Sequence, residues 1–300
     1  MNPFSRLAIA AASAYLRLSP VPYGRWRLVR HFLPELRKYG YSLGERKVHT
    51  RYGFKFKSDM GDWLGQHVYL TGVYEPPTAR VIAELLKPGE TFIDVGANSG
   101  FFTLLASIRV GPAGRVLSFE PVPSMNKRLN ENITLNGMNN VSVQNVALSN
   151  TEGILPLFEG PEGHKGISSL RHIDNSAATI EVRTLPLDSF CDTLSSLKLV
   201  KIDVEGAEQL VLEGMTHLIQ KHHPYLVIEI TDNFLRAFGH TAIGLAELLT
   251  ESGYHIYRIG SEGLVRMNAK QAADVEQFNA LFAYLPVPES LLAPQNHFHG

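Results

Sequence analysis

The sequence predicts a doubly wound α/β fold, a mostly parallel Rossmann-like sheet with helices on both faces, preceded by a helical and hairpin extension. Three observations predict it. From residue 91 onward, short apolar runs alternate with helix-length segments, the pattern of parallel strands joined by crossover helices. The first run, Thr91-Phe92-Ile93-Asp94-Val95, leads into Gly96-Ala97-Asn98-Ser99-Gly100, a strand, tight turn and exposed helix start suited to a nucleotide-like ligand. The second, Arg115 to Phe119, ends in Glu120, 26 positions after Asp94. An acid closing the second strand of a βαβ unit is placed to accept both ribose hydroxyls.

Residues 1 to about 45 read as two helices divided at Ser19-Pro20-Val21-Pro22, and 47–58 alternate around Tyr52-Gly53 as a hairpin. Helices are expected at about 62–71 and 77–86, ended by Lys87-Pro88-Gly89. Then follow strand 91–95, helix 100–109, strand 115–119, helix 123–136 and strand 141–146. Strand 198–203, helix 207–221, strand 225–230, helix 241–252, strand 254–258 and a last strand at 278–285 complete the alternation. An insertion at 151–186 interrupts it, with β-like runs at 153–158 and 179–184 around a loop rich in Gly, Ser and His. Long loops at the carboxyl edge of such a sheet are commonly functional, so this one reads as a substrate-side lid, with a plain surface insertion as the alternative. The chain therefore divides into an extension over 1–70 and a catalytic unit over 71–290.

The glycine count narrows the ligand. A dinucleotide turn needs G-x-G-x-x-G so that backbone closes on a pyrophosphate; with Gly96 first, the other two places hold Asn98 and Phe101. No Lys-Ser or Lys-Thr follows the turn, which removes a P-loop. A ribose-bearing cofactor without phosphate and with a compact polar end remains, and S-adenosylmethionine fits. Asp94 and the turn amides are expected at its amino and carboxylate groups and Glu120 at its ribose. A βα turn merely capped by Asn or Ser is the structural alternative, and Glu120 is what separates the two.

Composition excludes other classes. Apolar residues at 44% supply a sizeable core, and a net charge of −1 with no long Lys/Arg run is unlike a nucleic-acid binder. The single Cys191 excludes an internal disulfide and a cysteine-based zinc site and is compatible with a reducing, cytoplasmic compartment. The apolar run Leu7 to Leu16 is far shorter than the roughly 20 residues a membrane span needs. Arg6 before it admits a leader; Arg17, Arg25, Arg27 and Arg30 after it favour a docked or membrane-surface helix.

A second constellation is Val200-Lys201-Ile202-Asp203-Val204-Glu205-Gly206-Ala207-Glu208. Asp203 and Glu205 close an apolar strand beside the cofactor crevice, where packing does not explain acids. They can stabilise a sulfonium, bind a divalent metal or take a proton from a hydroxyl. Glu208 serves either them or its own helix start. Glu229, at the end of the next strand, is the second candidate base. His67, His164, His172 and His240 stand in or beside expected loops, where surface histidines outnumber bases.

The order of these motifs resembles the FkbM family of S-adenosylmethionine-dependent methyltransferases. The likeness runs through Phe92 to Gly100, Phe119-Glu120-Pro121, Asn145-Val146-Ala147-Leu148-Ser149, Leu187-Asp188-Ser189-Phe190, Lys201 to Glu208 and Val227-Ile228-Glu229. It covers roughly 70–260, and several motifs in one order are far more specific than one glycine turn. Pro186 departs from it, since a strand-compatible residue is usual there. The resemblance implies a seven-stranded class I methyltransferase sheet with an antiparallel last strand. It places Asp94, Gly96, Asn98 and Gly100 around the methionine end, Glu120 at the ribose, and Asn145, Val146 and Ala147 at the adenine. Glu75 would hold the cofactor amine or cap the helix after it. Family members commonly methylate hydroxyls, so the acceptor class implied is a small molecule or carbohydrate, with Asp203 or Glu205 as base. A scaffold that keeps the fold without turnover is the alternative, and the intact acids at 94, 120, 203 and 205 count against it.

Overall fold

The computed structural model describes residues 3–18, 25–158 and 179–294. Thirteen strands are described: β1 (Glu45–His49), β2 (Lys55–Asp59), β3 (Thr91–Val95), β4 (Arg115–Phe119), β5 (Val141–Gln144), β6 (Ala147–Leu148), β7 (Gly153–Phe158), β8 (Thr179–Leu185), β9 (Leu199–Ile202), β10 (Tyr225–Thr231), β11 (His255–Gly260), β12 (Gly263–Met267) and β13 (Gln277–Ala283). The helices are α1 (Pro3–Leu18), α2 (Arg25–Tyr39), α3 (Trp63–Thr71), α4 (Pro76–Leu85), α5 (Phe101–Val110), α6 (Pro123–Asn136), α7 (Glu208–Glu213), α8 (Thr216–His222), α9 (Asp232–Ala237), α10 (Ala242–Glu251) and α11 (Ala269–Ala272).

The central sheet has the order β12-β11-β13-β10-β9-β3-β4-β5. β5, β4, β3, β9 and β10 run parallel, and β13 is antiparallel to both β10 and β11. This is the expected doubly wound class I arrangement with a reversed strand near one edge. One strand was missed. β12 pairs with β11 through Gly260↔Gly263; only Leu264 in it is buried, so it lacks the apolar rhythm that a buried strand shows. The sheet is therefore eight-stranded rather than seven. Its middle strands are apolar on both faces: β3 is buried throughout and β9 likewise, as helices on both sides require. One core cluster lies on the face of Phe92, Leu199 and Val227, the other on the face of Ile93, Val200 and Ile228.

The expected helix 207–221 is two helices, α7 and α8. The break sits at Gly214, where a Cβ would come within 2.1 Å of the Ser149 carbonyl oxygen, so the chain can pass only as glycine and leaves the helical path. Asp188 then closes the exposed start of α8: its carboxylate accepts from the backbone N–H of His217 (3.0 Å) and Leu218 (2.9 Å). Pro186, the departure from the family pattern, stands between β8 and the 3-10 turn Leu187–Thr193, where its fixed φ of −67° costs no sheet hydrogen bond. α9 also went unforeseen, being only six residues long.

β6, β8 and β7 form a small separate sheet, built from both β-like runs of the insertion. The loop Gly160 to Ser176 lies outside the described residues. In the extension, α1 and α2 rest on α3 around Ile9, Leu16, Val29, Leu36, Met60 and Leu70. The β1–β2 hairpin is tied to the catalytic sheet by α6: Asn136 and Asn132 side-chain oxygens accept from the Lys55 and Lys57 amides at 2.8 Å. The Asn132 amide also donates to the Ser99 carbonyl at 2.9 Å, so the hairpin and the glycine turn share one clamp.

Asp188→Ala removes both acceptors from the α8 start and is expected to lower the unfolding free energy by about 1–2 kcal/mol; thermal unfolding checks this, with Asp188→Asn recovering part of the loss.

Candidate active site

The crevice forms where β3 meets β9, the switch point at which the chain turns from one half of the sheet to the other. Gly96 makes it narrow. Its φ is +76°, and a Cβ there would lie 1.8 Å from the Asp203 carbonyl oxygen. Beyond it Asn98 takes φ 51° and Glu205 φ 54°; with Glu75 at 41°, three of the four described non-glycine residues with positive φ belong to this region. Left-handed backbone at residues with side chains is strained and concentrates at functional sites.

Two cavities open from this point. The first is an apolar slot bounded by Phe119, Met125, Val146, Ala147 and Leu148, with Glu120 at its polar side. The second is lined by Asp62, Trp63, Tyr74, Phe101, Phe102, Lys201, Glu229, Phe234 and Gln277. Gly96, Asn98, Asp203 and Glu205 line both. Leu157 of β7 borders the first cavity, so the described arm of the insertion meets the slot.

Glu120 is 5% exposed. Its two oxygens accept from the backbone N–H of Asn98 (2.7 Å) and Val122 (2.8 Å). Burial pushes its pKa to about 7, against the lowering effect of those two amides. Each carboxylate oxygen has two acceptor sites, so one on each is still available to a ligand. Asn145 donates to the Glu120 carbonyl at 2.7 Å and the Pro121 carbonyl at 2.9 Å; it braces the loop, while Val146 and Ala147 face the slot.

Asp94 differs from its expected place. Its carboxylate lies beneath the start of α5, accepting from the Thr103 hydroxyl at 2.6 Å, and it lines neither cavity. Thr103 contacts the Ser118 hydroxyl at 2.9 Å in turn, and the second Asp94 oxygen is buried without a hydrogen-bond partner. Burial raises this carboxyl and the Lys201 ammonium opposes the rise. Gly100, expected near the methionine end, lines neither cavity; it starts α5 with a φ of +94°, and that left-handed backbone is what calls for glycine. Glu75 leaves its helix start uncapped by its side chain and accepts instead from Asn279 at 2.9 Å.

The floor of the second cavity carries the densest charge. Lys201 Nζ donates to Asp203 Oδ2 at 2.8 Å, its side chain only 4% exposed, and it also sits over the Phe102 ring at 4.8 Å. Asp203, Glu205 and Glu229 each bring one carboxylate oxygen within 4.8 Å of the others. Burial alone would raise the Asp203 pKa, but Lys201 and a hydrogen bond with Glu229 hold it below its ordinary value. Glu229 is driven far upward, first by the Asp203 charge and then by burial, so it enters neutral pH as a hydrogen-bond donor. Glu205 is raised by burial, then by Asp203 and Glu208. Glu208, whose place was open, accepts from the amides of Gly206 (3.0 Å) and Val204 (3.3 Å) and closes its own helix start. His67 is held neutral, its pKa lowered to about 4 by burial; His164 and His172 lie outside the described residues. Sequence reasoning gave Lys201 no role, although a lysine inside an otherwise apolar strand was a visible signal.

The FkbM methyltransferase domain model matches residues 94–256, more than half of the chain. The chain belongs to the FkbM methyltransferase family. Among relatives of this FkbM protein, "Methyltransferase 1" of Beauveria bassiana is 27% identical over 196 residues, 54% of this chain and 78% of its own length. "Hexuronic acid methyltransferase AglP" of Haloferax volcanii is 27% identical over 158 residues, 52% of this chain and 62% of its own length. A crystal structure titled as methyltransferase FkbM from Methylobacillus flagellatus aligns at 15% identity and a TM-score of 0.41, over 85% of this chain and 59% of that one. Among the described residues, no helix of this FkbM chain is long and apolar enough to cross a membrane.

The buried acids give the ligand-free protein a signed pH dependence. Glu120 and Glu208 both have folded pKa values raised to about 7 from an ordinary 4.5. Between those values the folded state binds more protons than the unfolded one, so their contribution to stability is full below 4.5 and is lost as pH rises through 7. The melting temperature is expected to be higher near pH 5.5 than near pH 8, and Glu120→Gln to shrink the difference; a melting temperature that rises over this range speaks against the burial described.

Proposed function

We propose that this chain transfers the methyl group of S-adenosylmethionine to a hydroxyl of a neutral carbohydrate or similar small acceptor, with residues 71–290 as the catalytic domain. The observation that carries the reading is the pair of cavities sharing Gly96, Asn98, Asp203 and Glu205. A cofactor with an apolar nucleoside and a charged amino-acid end needs one slot of each kind, joined where its reacting atom lies.

The residues fit such a molecule. Glu120 keeps two acceptor sites for the ribose hydroxyls, and Val146, Ala147 and Met125 offer an apolar wall to the adenine. Asn98 stands at the junction to receive the polar end. Asp94 acts through Thr103, fixing the start of α5 and balancing Lys201, rather than by touching the ligand. When bound, the cofactor supplies an electrophilic methyl on a cationic sulfur; the protein aligns the hydroxyl with it and removes the proton.

Among the three candidate acids, Glu205 is the base in this reading. Asp203 is tied to Lys201, and Glu229 already holds a proton through neutral pH. Glu205 borders both cavities, and its raised pKa matches the working range in which a base is most effective. Asp203, Glu205 and Glu229 are also a donor set that a hard divalent cation accepts. Lys201 already supplies the positive charge at Asp203, so the transfer needs no metal, and unchanged activity in a chelator is expected. The acceptor class follows from the second cavity. The Trp63 ring, held between the Arg37 guanidinium and the His67 ring, brings an aromatic edge beside the polar Asp62 and Gln277, a mixture of apolar and polar contacts that a sugar needs. The Haloferax relative is named for a hexuronic acid, but among the described lining residues here the sole cation, Lys201, is already paired, so a neutral sugar is preferred to a uronate. The work of such an enzyme suits a reducing cytoplasm, where Cys191 remains a thiol.

Incubation with S-adenosylmethionine and a panel of neutral glycosides and uronates tests this: a gain of one methyl group on a neutral acceptor, with release of S-adenosylhomocysteine, is expected. Absence of turnover with every acceptor despite tight cofactor binding indicates a scaffold instead. Glu120→Ala is expected to weaken cofactor binding by about 1–3 kcal/mol. Glu205→Gln should lower kcat by roughly 10²–10⁴ without changing that affinity and should erase an ionisation of the pH–rate profile above neutrality.

A further inference from the structure

We infer that the N-terminal extension docks on an anionic phospholipid bilayer, a surface role separate from the methyl-transfer site. The charge of the chain is strongly divided. Residues 1–51 contain ten lysines and arginines against two acids, a net of +8; since the chain carries −1, the remainder carries −9. A near-neutral total therefore conceals a basic N-terminal segment.

Helix α1 is apolar on both faces. Its inner side buries Ile9, Ala12 and Leu16 against the protein, and the Ser13 hydroxyl fixes the seat by donating to the Tyr69 carbonyl at 2.6 Å. The outer side presents Leu7, Ala11, Tyr15 and Leu18 at steps of four, four and three residues, one stripe of a helix. Leu7 is 70% exposed and Leu18 81%. A helix with apolar residues on both of these faces has a second side suited to a nonpolar medium, and its own protein covers only the inner one.

Helix α2 supplies the complementary surface. Val29 and Leu36 face inward, while Arg27, Arg30, His31, Arg37 and Lys38 are exposed within one sector of the helix. The Arg37 guanidinium lies over the Trp63 ring at 3.6 Å from its centroid, which holds that charge upright on the surface. An apolar stripe beside a basic stripe is the chemistry of interfacial helices, whose apolar side chains enter the acyl boundary while lysine and arginine meet lipid headgroups. A second copy of this chain is the less suited occupant of α1. A symmetric pair would set one +8 extension against another, whereas an anionic leaflet turns the same charge into attraction.

Cosedimentation of the full chain with vesicles of phosphatidylcholine, alone or mixed with phosphatidylglycerol, tests the proposal. Binding to the mixed vesicles only, weakened by high salt, is expected. The double variant Arg27→Glu/Arg30→Glu should bind at least about tenfold more weakly, and Leu7→Asp/Leu18→Asp should lose a similar factor. Both should keep wild-type melting and S-adenosylhomocysteine affinity. If either variant fails to fold, the lipid-charge and salt dependence of the wild type decides alone. No binding by the wild type, equal binding to neutral vesicles, or a wild-type dimer that the leucine variant disperses overturns the proposal.

Discussion

The buried ion pair between Lys201 and Asp203, 2.8 Å apart at the carboxyl end of β9, is the constraint from which the rest of the site follows. An ammonium deep in a sheet is tolerated only when paired. Asp203 is its direct partner, and Asp94 and Glu75 add to the field that keeps it charged. Because Asp203 stays an anion, Glu229 next to it stays protonated. The protonation states of the cavity floor are thus fixed by one strand residue, and only Glu205 is left near its turning point. Removing one member of such a pair costs about 3–5 kcal/mol because the other is left uncompensated.

The backbone serves this arrangement. Gly96 passes so close to the Asp203 carbonyl that β3 and β9 share their ends, and the positive φ values of Asn98 and Glu205 turn two side chains into the shared junction. Thr103 and Asn132 hold the turn from opposite sides, one through Asp94 and one through Ser99. The same clamp reaches the hairpin through Lys57, so the extension and the central sheet are mechanically joined near the glycine turn.

The alternation of apolar runs made β3, β4, β9 and β10 legible because each is largely buried and mostly apolar, even where it carries a charged residue such as Asp94, Lys201 or Glu229. β12 and α9 were not legible, being short and half exposed. The split of α7 from α8 depends on Gly214 meeting Ser149, a contact 65 residues apart in the chain that no local pattern encodes. At the site, Gly96 and Glu120, singled out by type and spacing, and Asn98, Val146 and Ala147, singled out by the family resemblance, all line the first cavity. Asp94 and Gly100 line neither cavity: the sequence shows an acid and a glycine at a turn, and their depth below it depends on how α5 packs, which no local pattern encodes. Lys201 stands beside a motif of acids that carries the more familiar chemistry, yet its charge within an apolar strand is the stronger anomaly in the sequence.

The most direct measurement is a carbon-13 titration of the side-chain carboxyls in the ligand-free protein, with Glu229→Gln and Asp203→Asn assigning the two signals. Glu229 should remain protonated through neutral pH while Asp203 remains ionised below its ordinary range, and Lys201→Met should move Asp203 upward. A Glu229 that titrates near an ordinary 4.5, or an Asp203 indifferent to the loss of Lys201, would contradict the ion pair as the organising element of the site.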